Sequence, residues 1–119
     1  MNNEQWFWNI IQQAQQNRAK LNTFLLSLNK EEIIRFQDIF LDFAIELQDE
    51  PYTGFMEESE DGIEDISHWV VSKGKDYYTH ILQHPEDIPF NVEDVMDENL
   101  YGIADEVCYA KYNETTGLY

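Results

Sequence analysis

An all-α fold is the architecture this sequence predicts: a compact single-domain bundle of about five or six helices spanning residues 1–119. Three observations carry the prediction. Apolar residues recur at three- and four-residue spacings in one segment after another, helix-starting and helix-breaking residues border those segments, and no segment alternates with period two between hairpin turns. The chain is 43% hydrophobic and 14% aromatic, enough to close one core, so its formal net charge of −17 belongs to a folded body with a negative skin and not to a disordered chain.

The first helix is entered at Asn2 or Asn3, with Trp6, Phe7, Ile10, Ile11 and Ala14 on its apolar side and glutamines outside up to Gln16. Trp6 and Trp8 lie about 200° apart on a helix, so both cannot face inward. Trp8 is taken as the partly exposed one. "LNTFLLSL" contributes another turn or two through Leu21, Phe24, Leu25 and Leu28. At "NKEE", Asn29 and Glu32 have capping-box spacing, and a helix of roughly five turns follows. Its main face is Ile33, Phe36, Ile39, Phe40, Phe43 and Leu47, widened by Ile34, Leu41 and Ile45, which predicts a central position.

Pro51 and Gly54 break that helix. The next one is expected to take Asp61 as its N-cap, with Glu64 completing a capping box, and to bury Ile63, Ile66, Trp69 and Val70. Gly74 is expected to stop it in a left-handed cap between Lys73 and Lys75. A short helix then buries Tyr77, Tyr78, Ile81 and Leu82 and closes at Pro85. Residues 85–99 read as loop, and a last helix from about Glu98 to Tyr112 buries Leu100, Ile103, Ala104, Val107 and Cys108.

Motifs for catalysis or metal are not found. Aligning Gly62 with the sixth position of a calcium loop puts Glu57 first and His68 twelfth, where a bidentate carboxylate belongs. His80 and His84 have helical zinc spacing, yet Ile81 stands where a zinc protease needs Glu, and no third ligand is marked. Among 24 acidic residues no pair is singled out for acid–base work. No catalytic residue, metal or cofactor is therefore expected. Cys108 alone forms no internal disulfide. The N-terminus has no signal-peptide pattern, and no run approaches the ~18 apolar residues of a membrane helix. A cytoplasmic protein, monomeric when unbound, is the expectation.

The charge does discriminate among partners. It repels nucleic-acid phosphates and anionic lipid and attracts basic protein. Six of the nine residues from Glu57 to Asp65 are acidic, and an aromatic, apolar run follows at once. Glu57, Glu58, Glu60, Asp61, Glu64 and Asp65, with Trp8 as an aromatic anchor, are the candidate partner-binding residues.

"WFWNII", "LNKEEIIRFQDIFLDF" and "EDGIEDISHWVVSKGKDYY" together resemble the bacterial family catalogued as domain of unknown function 4240. The matching positions are Glu60-Asp61-Gly62-Ile63, Trp69 and Ser72-x-Gly74-Lys75. Ile63 replaces the family's usual Phe, and residues 50–59 lack its Trp- and Gly-rich run. The resemblance implies an α-helical bacterial cytoplasmic domain and names no activity. The functional expectation is a non-enzymatic protein-binding domain, for example an immunity or inhibitor protein docking on a basic toxin. The alternatives are a small ligand-binding or enzymatic domain with a pocket near Asp61, Glu64 and His68, and a structural domain.

Overall fold

The computed structural model describes residues 2–118. Among them are six α-helices and no strand: α1 (Asn3–Ala14), α2 (Arg18–Leu26), α3 (Lys30–Ile45), α4 (Glu60–Ser72), α5 (Lys75–Gln83) and α6 (Ile103–Tyr112). Three short 3-10 turns, Tyr52–Phe55, Pro85–Asp87 and Glu93–Glu98, occupy the connections. The radius of gyration of 13.9 Å is close to the ~13.5 Å expected of one compact domain of this length, and the buried apolar residues form one continuous core. No helix among the described residues is long and apolar enough to cross a membrane.

Local sequence explains the entries. Asn2 Oδ1 accepts the Gln5 N–H at 2.8 Å and Gln5 Oε1 accepts the Asn2 N–H at 3.3 Å, a reciprocal box that opens α1. The same device opens α3, where the Glu32 N–H donates to Asn29 Oδ1 at 2.9 Å and the Asn29 N–H to Glu32 Oε1 at 3.0 Å. Asn17 caps α2. Helix α3 packs against α1, α4 and α6, the central position its broad apolar girth predicts. Ile45 is the exception: at the last turn of α3 no helix covers it, and it is 63% exposed.

Trp8 is not the exposed tryptophan. It is 7% exposed, with its ring 4.8 Å from Phe43 and 5.5 Å from Tyr78. Helix α1 is covered on two sides: Phe7 meets Phe36 and Phe40 of α3, while Trp8 sits between Phe43 of α3 and Tyr78 of α5. The angle between Trp6 and Trp8 is thus resolved by two buried faces. Trp6 is the half-buried ring, with the Arg35 guanidinium 5.7 Å from its centre.

Other boundaries shift for identifiable reasons. Helix α6 begins at Ile103, after Gly102 at φ 93°, and not at Glu98. Residues 99–101 are held instead against α4: the Leu100 N–H donates to Ser72 Oγ at 2.9 Å, and Asn99 Nδ2 donates to the Asp65 carbonyl at 3.1 Å. Arg18 completes the clasp by donating to the Asn99 and Tyr101 carbonyls. Gly74 has positive φ, but at φ 109°, ψ 173° it lies outside the left-handed helical region and joins α4 directly to α5. Leu82 faces outward on α5 at 40% exposure, while Ile88 and Val92 anchor the stretch read as loop.

Candidate functional site

The acidic stretch begins where the backbone enters α4. Asp61 is not the cap. Ser59 holds that position, extended at φ −79°, ψ 143°, and its Oγ accepts the Gly62 N–H at 3.0 Å. Asp61 and Glu64 therefore lie inside the helix, and the expected capping box does not form because Gly62 occupies the third helical position. Ser59 Oγ also donates to Glu57 Oε1 at 2.8 Å. A Cβ on Gly62 would lie 2.2–2.6 Å from side-chain atoms of Glu57, so the bare glycine gives the Glu57 carboxylate its place over the first turn of α4. The helix dipole favours negative charge there.

A second wall faces this turn. The Glu57 N–H donates to the Phe90 carbonyl at 3.0 Å, tying residues 55–57 to the segment that carries Val92, Glu93 and Met96. Between them is a cleft of about 200 Å³ lined by Glu57, Ser59, Asp61, Gly62, Asp65, Val92, Glu93 and Met96. Of the sequence candidates, Glu57, Asp61 and Asp65 meet in it, and Glu58, Glu60 and Glu64 are exposed nearby on the same turns. Trp8 is buried in the core. Burial, then the Asp61 and Glu57 charges, raise the Asp65 pKa above the ordinary carboxylate range.

No Lys or Arg occurs between Arg35 and Lys73 or between Lys75 and Lys111, and the ion pairs Arg18–Glu106 and Lys30–Glu114 and the imidazole–carboxylate contacts His80–Asp87 and His84–Glu86 involve none of the cleft carboxylates. Acid is not confined to this face, for Asp38, Asp42 and Glu46 form an exposed stripe along α3. The cleft has an exposed apolar side chain in its own lining, Met96 at 41%, while Phe90 at 63% exposure lies on the segment hydrogen-bonded to Glu57 and Phe55 at 44% stands two residues before Glu57 in the chain. Sequence reasoning missed all three, because Phe55 and Met96 fall in 3-10 turns and Phe90 in a connection, none of which carries a helical period.

Asp61, Glu64 and His68 do not share a cavity. Asp61 lines the cleft, whereas His68 is 6% exposed and stacks on Tyr101 with ring centres 3.9 Å apart and planes within 5°. Burial lowers its pKa to about 4, so it is neutral near pH 7. Cys108 is buried and its thiol pKa is pushed up by that burial, the opposite of a nucleophile's requirement. Among the described residues no group of three or more His, Cys, Asp or Glu side chains is arranged to hold a metal ion.

A separate groove of about 520 Å³ runs between α1 and the α4–α5 junction. Gln5, Asn9, Gln12 and Gln16 line one side and Ser72, Lys73, Gly74 and Lys75 the other. The Gln16 Nε2 atom is shut off from solvent without a hydrogen-bond partner. Sequence reasoning took the glutamines for a solvated helix face, which gave no hint that they border a concavity.

Comparison with known proteins adds the lineage. No curated protein matches the chain, and no solved structure does. The family described as "Protein of unknown function (DUF4240)" matches residues 1–114, and the chain belongs to that family.

Proposed function

We propose that this protein is a non-enzymatic binding domain that docks a basic protein partner on the face around the α4 cleft. One observation supports the reading above the others: Met96 is exposed in a cleft where carboxylates from two segments converge, with Phe90 exposed on one of those segments and Phe55 exposed just before the other. Interfaces that combine affinity with fast encounter have this composition, an apolar centre within a charged rim. The negative field accelerates approach of a cationic surface, and desolvated aromatic and thioether groups slow its release. Nucleic acid and anionic membrane are repelled by the same field. In its concrete form the protein is a cytoplasmic immunity or inhibitor protein, monomeric when free, covering the cationic active site of a toxin.

The test is a matched pair of charge reversals. Glu58→Lys/Glu60→Lys/Asp61→Lys and Asp38→Lys/Asp42→Lys/Glu46→Lys change the net charge equally on two different faces. A basic partner recovered by affinity capture, then purified and rebound, is expected to lose affinity for the first variant, to keep most of it for the second, and to bind more weakly as salt rises. Equal loss in both variants would reduce the effect to net charge and end the proposal.

A second reading, ligand binding, has the amide-lined groove beside Lys73 and Lys75 in its favour. Its volume lies within the roughly 300–1,000 Å³ usual for small-molecule sites. Lys75→Glu with Gln12→Ala would abolish ligand binding there while leaving partner capture intact.

A further inference from the structure

Resting on the docking reading, we infer that the partner presents an extended segment in which aliphatic side chains alternate with Arg or Lys, the aliphatic ones seated on Phe90 and Met96 and one cation entering the cleft above Gly62. The apolar patch argues for the first half. Single exposed hydrophobics are ordinary on any surface. Here, however, Met96 lines the cleft itself, and Phe90 is joined through its carbonyl to Glu57, a residue of the opposite wall.

Charge complementarity argues for the second half. Glu57, Asp61, Asp65 and Glu93 converge on the cleft, and the chain supplies no Lys or Arg within the two stretches that form it. At about 200 Å³ the cleft falls below the roughly 300 Å³ at which drug-sized sites begin; it suits one side chain. An Arg or Lys lays its methylene stem along apolar surface while its head meets carboxylates, which is the pairing that Val92 and Met96 on one wall and Asp61 and Asp65 on the other provide. Arg can bridge two carboxylate oxygens with parallel hydrogen bonds. Burial first, and then repulsion from Asp61 and Glu57, raise the Asp65 pKa, and a cation entering the cleft relieves the repulsion.

The experiment uses three acetylated, amidated pentapeptides titrated into the full chain at low salt and followed by NMR. Their sequences are Arg-Leu-Arg-Leu-Arg, Arg-Gly-Arg-Gly-Arg, and the first with each Arg replaced by citrulline. The first is expected to shift the Met96 methyl and Gly62 amide signals saturably. Replacing Leu by Gly should weaken binding about tenfold, and citrulline should abolish it. Phe90→Ala/Met96→Ala should erase the preference for Leu over Gly. Gly62→Ala displaces Glu57 at unchanged net charge and should weaken both Arg peptides. Equal affinity of the Leu and Gly peptides, indifference to Gly62→Ala, or no saturable binding by any peptide overturns the inference. If it fails while the charge-reversed face still loses the purified basic partner, the docking reading survives; if that variant also keeps the partner, both fall.

Discussion

His68 makes the stability of this protein depend on pH in a direction that can be worked out beforehand. Its ring lies against Tyr101 at 3.9 Å and Phe40 at 5.8 Å, 6% exposed, and burial alone lowers its pKa from 6.5 to about 4. In the unfolded chain it protonates near 6.5. Between those values the unfolded state binds more protons, so the contribution is complete above pH 6.5 and is lost as pH falls through 4. At ~1.36 kcal/mol per unit, the whole loss is about 3 kcal/mol, of which about 1.4 kcal/mol is gone by pH 5.5. Two effects run the other way: Asp65, with its raised pKa, and the easing of repulsion as carboxylates neutralise.

The difference between wild type and His68→Phe isolates the residue, since both chains share those opposing effects. Phenylalanine keeps a ring against Tyr101 and Phe40, and any fixed packing offset cancels when only the pH dependence of the difference is read. Urea denaturation followed by tryptophan fluorescence at pH 7.5, 6.5 and 5.5 is sufficient. The range stops there because the chain nears its sequence isoelectric point of about 4.1, where low net charge favours precipitation. The variant is expected to gain about 1.4 kcal/mol on wild type between pH 7.5 and 5.5. Profiles that stay parallel to within about 0.5 kcal/mol would refute the argument, because a buried neutral imidazole that faces no penalty on protonation contradicts its burial.

Three further outcomes are expected. Ser59→Ala should lower stability by about 1 kcal/mol, whereas Asp61→Asn should leave the melting temperature nearly unchanged, since loss of a favourable dipole contact is offset by relief of repulsion with Asp65. Trp8→Ala should cost roughly 3–5 kcal/mol in chemical denaturation, a loss that a peripheral anchor would not show. Sodium chloride at half-molar concentration should raise the melting temperature of the free protein and weaken its hold on a basic partner, two opposite signs from one screened field.

Much of the fold was legible because its signals are local. The Asn29–Glu32 box and the spacing of Ile33, Phe36 and Phe40 fix α3 without reference to anything distant. The inward run Ile103, Ala104, Val107 and Cys108 is likewise visible from its period. The failures came where long-range contact overrode local pattern. Residues 99–100 read as helix, but Ser72 and Asp65, some thirty residues earlier, draw them into an extended path. Trp8 reads as peripheral when α1 has a single buried face, and α5 provides the second. The cleft was half legible: the carboxylates of residues 57–65 announced themselves, while Glu93 and Met96 are brought to it by a connection between helices that carries no periodicity. The space that the missing Cβ of Gly62 leaves is taken by Glu57, a contact that no local pattern announces.

Helix physics accounts for part of the acidity at α4 and leaves a remainder that needs another cause. Glu60 and Asp61 lie in the first turn, where the dipole stabilises negative charge by typically 0.3–1 kcal/mol each. Glu57, above that turn, shares the benefit. The effect fades within a turn, so it does little for Glu64 and Asp65, and it does not act on Glu93 across the cleft. Asp65 meets like charge from Asp61 and Glu57 in a partly buried place with no Lys or Arg from the two stretches that form the cleft, and burial first, then that repulsion, raise its pKa. A sequence selected only for solubility could spread such carboxylates along outer helix faces, as the Asp38, Asp42 and Glu46 stripe does. Concentrating them beside exposed Phe90 and Met96 is a net penalty for the free protein, and a cationic, partly aliphatic partner is the simplest agent that turns both the charge and the exposed apolar surface to advantage.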